Sequence, residues 1–305
     1  MPIHLNSKRR LSPYSYDSTT PLGKGVCVIE AIFLGIVQGL TEFVPISSSA
    51  HQRIVGEFFE NAQDPGARFT AITQIGTELA VLIYFRADIK RIILAWFAQV
   101  ILRRDLLGDE RQQARMGWLI IVGSLPIVVL GYFGQDVITQ DFRSLWLIAL
   151  MLILFGILLG LADHFGKRER ELKELSTAHG LFYGLAQSLA LIPGVSRSGA
   201  TIAIGRYLGY TREAALRYSF LLALPAVFGS GLFQLEAALN DQTSRQTFSL
   251  DQIFIATSVA FVVGYGVIAW LLKFVTTRSF MPFIIYRVIL GSVLLVLLSN
   301  GVIKA

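Results

Sequence analysis

The chain is short of what soluble proteins use. Charged side chains make up 16% of its 305 residues, against about a quarter in a typical soluble domain. It has a single cysteine, Cys27, so neither an internal disulfide framework nor a thiolate metal cluster is available. Strands alternating apolar with polar residues are missing, which excludes an outer-membrane barrel. The formal excess of six positive charges lies in loops between apolar runs. It reads as membrane topology, and nucleic acid is not an expected partner.

What fills the chain instead is apolar sequence, 53% of all residues, in runs long enough to cross a bilayer at ~20 residues each. The expected fold class is an all-α polytopic membrane protein. Residues 1–25 are polar, carry Lys8-Arg9-Arg10, and read as a disordered extension rather than a cleaved leader.

One stretch breaks the apolar pattern early. Gln38-Gly-Leu-Thr-Glu42-Phe-Val-Pro45-Ile-Ser47-Ser48-Ser49-Ala-His51 packs a carboxylate, hydroxyls and an imidazole between apolar segments, where polar groups are costly. Val26–Val44 is helical in pattern and closes at Pro45. Ser47–Phe59 reads as a second short helix capped by Ser47 or Ser48. Neither piece spans a membrane alone, so the pair suggests a re-entrant hairpin. Spans are expected at Arg68–Phe85, Gly117–Gly134 (kinked at Pro126) and Leu145–Ala162, with a short amphipathic piece at Ile89–Leu102. A charged linker, 164–177, follows.

The opening pattern then returns at a constant offset of 149: Phe33/Phe182, Gly35/Gly184, Gln38/Gln187, Leu40/Leu189, Ser47/Ser196, Ser49/Ser198, Gly56/Gly205 and Arg68/Arg217. Three more spans follow, Ala215–Leu235, Ile253–Leu272 and Pro282–Leu298. The expected organisation is a first repeat over 26–163 and a second over 178–305 in one integral membrane domain. Each half is a re-entrant helical hairpin plus three transmembrane helices. An odd number of spans per repeat inverts one half relative to the other, with both hairpin tips near the midplane. Arg86–Arg115, Lys167–Lys173 and Lys273–Arg278 hold seven, four and two Lys/Arg, which places these loops in the cytoplasm.

The second break is Pro193-Gly194-Val195-Ser196-Arg197-Ser198-Gly199-Ala200-Thr201. Gly194 permits tight backbone geometry, Ser196 can cap the next helix, and Arg197 supplies a bidentate fork. Helix N-terminus, guanidinium and hydroxyls make a phosphate cradle. At the first break, Gln38 and Glu42 share a helix face and suit Mg²⁺ or Ca²⁺. Ser47 and Ser48 stand where a nucleophile or phosphate-binding hydroxyl is well placed, and His51, three residues past Ser48, could act as acid or base. The plainer alternatives are a Glu42 that merely pairs with Arg197 and a His51 that caps at the interface. Gln74 and Glu78 repeat the carboxamide/carboxylate spacing in the next helix, as a second wall of the site or as a structural pair. Arg287, several residues into the last span, is expected to face a partner inside the bundle.

At these two breaks the sequence resembles the undecaprenyl-diphosphate phosphatase (bacitracin resistance protein) family. Gln38–Glu42 with Pro45–His51 matches (E/Q)xxxE followed by PxSSxxH, and Pro193–Thr201 matches PGxSRSxxT. The resemblance runs from about Ile29 to the end. It implies a divalent-metal-dependent hydrolase of the bacterial inner membrane. Such an enzyme removes the terminal phosphate of undecaprenyl diphosphate, recycles the peptidoglycan carrier lipid and confers bacitracin resistance, with the site open to the periplasm and homodimers within the family's range. Carried over by residue, Glu42 and Gln38 are metal or catalytic-acid positions, Glu78 gains interest, Ser48 or Ser47 is the nucleophile and His51 the acid/base. Ser196, Arg197, Ser198, Gly194 and Thr201 hold the diphosphate, and membrane lipid is the surrounding partner. Architecture alone fits equally well an inverted-repeat transporter or flippase for an anionic or lipid-phosphate substrate, or a scaffold that binds the lipid without turnover.

Overall fold

The computed structural model describes residues 21–59, 65–134, 144–240 and 248–303. Residues 1–20 of the expected extension lie outside them. Among the described residues there is no strand, only an isolated bridge between Arg170 and Tyr210. The helices are α1 Pro21–Thr41, α2 Ser48–Gly56, α3 Gly66–Tyr84, α4 Arg86–Val100, α5 Gly108–Phe133, α6 Leu145–Phe165, α7 Thr177–Ser188, α8 Arg197–Tyr207, α9 Arg212–Asn240, α10 Leu250–Thr277 and α11 Met281–Ser299, with short 3₁₀ turns at Leu172–Glu174 and Leu189–Leu191. Five of them, α5, α6, α9, α10 and α11, are long and apolar enough to cross a membrane. Apolar side chains such as Phe254, Val262, Ile289 and Val293 stay exposed on their outer faces, as a lipid-facing surface requires.

The expected first span, α3, has the length but is more polar. Its buried Thr73, Thr77 and Glu78 face inward, where α9 and α10 pack on it. The amphipathic piece is α4. Helix α5 begins at Gly108, nine residues before the expected span, because Asp109 and Glu110 in its first turn suit the positive helix end and extend the helix beyond its apolar part. It continues through Pro126.

Both expected hairpins fold back on themselves. Gln52 Nε2 donates to the Leu34 carbonyl at 2.8 Å, and Phe33 meets Phe59 edge to face at 5.8 Å, so α2 returns along α1. Helix α8 returns along α7, with Gly205 seated against the Tyr183 hydroxyl. Each first hairpin helix then packs against a span from the other half, α1 on α10 and α7 on α5. A glycine makes each contact. A Cβ on Gly35 would stand 2.5 Å from the Ala256 carbonyl oxygen, and one on Gly184 would stand 2.4 Å from that of Gly123.

The helix ends sort into two faces. On one, the Phe69 and Phe248 rings meet at a tilt with centroids 4.6 Å apart, and Leu145 packs with Leu298. On the other, Asp163 accepts from Arg206 Nε (2.9 Å) and from Arg212 Nε and Nη2 (2.8 Å each). The basic segments Arg86–Arg115 and Lys167–Lys173 belong to this second face. Asp163, expected at the edge of the linker, is a buried hub.

Arg287 ties the interior together. Fully buried, it donates to the carbonyls of Pro45 (3.1 Å), Gly194 (2.8 Å), Val195 (3.0 Å), Leu152 (3.1 Å) and Met151 (3.2 Å). Broken helices leave carbonyls without intrahelical partners, and one guanidinium serves both breaks and α6. Arg287→Met removes every one of these donors and should lower unfolding stability in detergent by about 3 kcal/mol or more. Thermal denaturation checks this; an unchanged midpoint would contradict the role given to Arg287.

Candidate active site

The two breaks share a backbone solution. Ser47 and Ser196 are N-caps with φ of 75° and 71°. Their hydroxyls accept from Ala50 N (3.4 Å) and Gly199 N (3.1 Å), so a capping hydrogen bond stands opposite each positive φ. Gly194 has φ 94°, and a Cβ there would lie 2.7 Å from the Ile148 carbonyl oxygen, so the turn admits only glycine. Ser198 Oγ donates across to the Glu42 and Val44 carbonyls, 3.4 Å each, joining the two tips.

The carboxylates gather around Arg197. Its Nη2 donates to Glu42 Oε1 and Glu78 Oε1, both at 2.7 Å. Glu42 Oε2 accepts from Ser48 Oγ (2.6 Å), Gln38 Nε2 (2.7 Å) and Gln74 Nε2 (3.2 Å). Glu42 and Glu78 are buried. Two buried polar atoms here have no partner, Glu78 Oε2 and Arg197 Nη1. Glu42, Ser47, Ser48, Gln74, Ser196 and Arg197 line one cavity of about 240 Å³, together with Arg53, Thr70, Ala190, Leu191 and Pro193. Ile148, Ala67 and Thr70, also in its wall, stand near the starts of α6 and α3 on the face opposite the basic segments.

Most of the expected residues therefore converge. Of these, Glu42, Ser47, Ser48, Ser196 and Arg197 line the cavity, Gln38, Glu78, Gly194 and Ser198 adjoin that lining without being part of it, and His51 and Thr201 turn elsewhere. His51 turns its Nδ1 to the Ser47 carbonyl (2.7 Å) and its Nε2 to the Tyr286 hydroxyl (2.8 Å). A carbonyl only accepts, so Nδ1 carries a proton and the neutral ring's Nε2 accepts from Tyr286. Thr201 is buried and bonds the Arg197 carbonyl (2.7 Å) and Ser219 Oγ (2.5 Å), supporting the first turn of α8 from behind. Gln38 presents its amide nitrogen, not its oxygen, to Glu42.

Sequence reasoning did not find Tyr286, Arg53 or Thr70. Arg53 carried one local signal, its spacing of four from Glu57, with which it pairs. Tyr286 carried none.

For a cation, the described residues around Arg197 offer two carboxylates, Glu42 and Glu78. Among the described residues no group of three His, Cys, Asp or Glu forms a metal cluster. The orphan Glu78 Oε2 and the hard oxygen donors fit a divalent ion whose remaining shell comes from phosphate oxygens and water.

Burying two carboxylates on one guanidinium balances charge only while all three remain. Arg197→Met should lower stability by about 3 kcal/mol or more, and adding Glu78→Gln should restore a large part of it. A double-mutant cycle by thermal unfolding measures the coupling; strictly additive effects would contradict the pairing.

Comparison with known proteins places the chain. The family description "Bacitracin resistance protein BacA" matches residues 31–293. A protein of Micrococcus luteus named undecaprenyl-diphosphatase is 60% identical over 277 residues, 91% of this chain and 99% of its own length. The namesake of Paenarthrobacter aurescens is 57% identical over 277 residues, covering 91% of this chain and 99% of that one. Undecaprenyl-diphosphatase 2 of Agrobacterium fabrum is 57% identical over 279 residues, 91% of this chain and 98% of its own. With nearly the whole length matched and the two broken hairpins meeting in one polar cavity, the chain is a multi-pass membrane protein that belongs to the bacitracin resistance protein BacA family.

Proposed function

We propose that this protein is an undecaprenyl-diphosphatase, hydrolysing undecaprenyl diphosphate to undecaprenyl phosphate and inorganic phosphate. The names of its relatives supply the substrate. The observation that carries the chemistry is the 2.6 Å hydrogen bond from Ser48 Oγ to Glu42 Oε2, beside an arginine with an unpaired N–H. A hydroxyl on a buried carboxylate is a nucleophile with its base in place. A transporter or a passive scaffold has no need of it.

The steps follow from these contacts. Arg197 Nη1 and the N-terminal N–H groups of α8 receive the terminal phosphate. Ser48 Oγ attacks its phosphorus and passes its proton to Glu42. The Oγ–P bond forms as the bridging P–O bond breaks, and undecaprenyl phosphate leaves as an anion that needs no proton. Glu42 releases that proton to solvent; water then attacks the phosphoserine and passes a proton to Glu42, which hands it to Ser48 Oγ as the Oγ–P bond breaks, regenerating the hydroxyl and freeing inorganic phosphate. His51 holds the Ser47–Ser48 turn through the Ser47 carbonyl, so in this structure it is a positioning residue. Glu78 with Glu42 would hold a divalent cation, Mg²⁺ or Ca²⁺, which when bound neutralises charge on the diphosphate oxygens.

The two halves are read as inverted repeats. Supporting this are the paired positive-φ caps at Ser47 and Ser196, the matching glycine contacts at Gly35 and Gly184, and hairpin tips that approach from opposite faces. The basic segments are assigned to the cytoplasm by their charge and the cavity mouth to the periplasmic side of the inner membrane.

The test is phosphate release from undecaprenyl diphosphate by the purified protein. Glu42→Ala should lower kcat at least about 100-fold, and EDTA should stop release until Mg²⁺ or Ca²⁺ is restored. No release by the wild type with metal present would overturn the phosphatase reading; full activity in EDTA would overturn the cation.

A further inference from the structure

We propose that the polyisoprenyl tail of the lipid diphosphate lies in an apolar groove along α7, joined to the catalytic cavity at Leu191. The identity of the ligand rests on the phosphatase reading above. The groove rests on geometry. Leu191, in the 3₁₀ turn after α7, lines the polar cavity and also a trough of about 730 Å³. Leu130 of α5, Phe182 and Leu185 of α7, Leu189, Ile192 and Ile204 wall this trough. Its one polar wall side chain, Ser188, donates to the Gly184 carbonyl at 3.0 Å and offers no free group.

The trough does not stop there. Leu189 and Ile204 also line a second one, of about 880 Å³, between α6 and the α7–α8 hairpin, which ends at Lys167 and Arg170 on the basic face. The path thus follows α7, twelve residues and ~18 Å long, from the hairpin tip to the opposite membrane face. It is open sideways to lipid, since Phe182, Leu185 and Leu189 are each about half exposed (48%, 50% and 45%).

Continuity selects the occupant. Ordinary lipid can wet any lipid-facing furrow. A molecule with a phosphate head at Arg197 and a long apolar tail leaving past Leu191 satisfies cavity and groove together. Moving a tail from lipid into the groove exchanges one apolar surface for another, so the gain is in packing and orientation. The groove therefore sets which tails place their diphosphate correctly.

Two measurements on the full-length protein in nanodiscs test this. The first is photo-crosslinking with a non-hydrolysable polyprenyl methylene-diphosphonate carrying a diazirine in mid-tail, mapped by mass spectrometry. Labelling should concentrate on Phe182–Leu189 and Ile204 and be competed away by unlabelled undecaprenyl methylene-diphosphonate. Label spread over α10 and α11, or label that resists competition, overturns the groove. The second compares undecaprenyl with farnesyl diphosphate hydrolysis in Leu185→Trp, where the ratio of kcat/KM should fall about tenfold. Equal loss for both substrates overturns the groove. A wild type that releases no phosphate yet crosslinks on α7 leaves the groove standing and overturns the phosphatase reading alone.

Discussion

The site depends on one guanidinium shared by two buried carboxylates. Arg197 reaches Glu42 and Glu78 through a single nitrogen at 2.7 Å. Charges at this depth persist only in company, and the three come from three elements: α1's end, α3 and the start of α8. The same demand that makes them pair also draws the two breaks into one cavity. It leaves one arginine N–H and one carboxylate oxygen unanswered, and those are the positions a bound phosphate and cation would answer.

Around this centre the two hairpins share a backbone geometry and differ in side chains. Both are capped by a positive-φ serine, and both lean a glycine on a span of the other half. Gln38 sits among Glu42 and Gln52, whereas Gln187, its counterpart at offset 149, is buried with neither amide atom bonded. In the proposed mechanism the first hairpin carries the chemistry and the second the cradle. Arg287 is what keeps their tips in register, because the carbonyls freed at Pro45, Gly194 and Val195 all end on it.

Much of this was legible in the sequence. Proline and serine punctuated both breaks, the constant offset paired Ser47 with Ser196 and Gly35 with Gly184, and the spacing of Gln38 and Glu42 put them on one face. What was not legible came from tertiary approach. Asp163 stands before His164 and Lys167 and reads as loop, yet α8 and α9 bring Arg206 and Arg212 onto it. His51 was expected as an acid or base beside Ser48, and its bond to Tyr286, 235 residues away, had no sequence signal. Arg287 was expected to find a partner, but no local pattern announces that a cation will be satisfied by carbonyls alone. The start of α5 was missed because a charged first turn looks like loop when helices are sought by apolar length.

The central claim is that Ser48, activated by Glu42, carries the phosphoryl group. Rapid quench of the wild type with undecaprenyl diphosphate labelled in its terminal phosphate tests it most directly. The account predicts acid-stable label on Ser48 within the first turnover, with no label and no rapid turnover in Ser48→Ala. Complete turnover without labelled protein, together with near-normal rates in Ser48→Ala, would contradict it and give the attack to water.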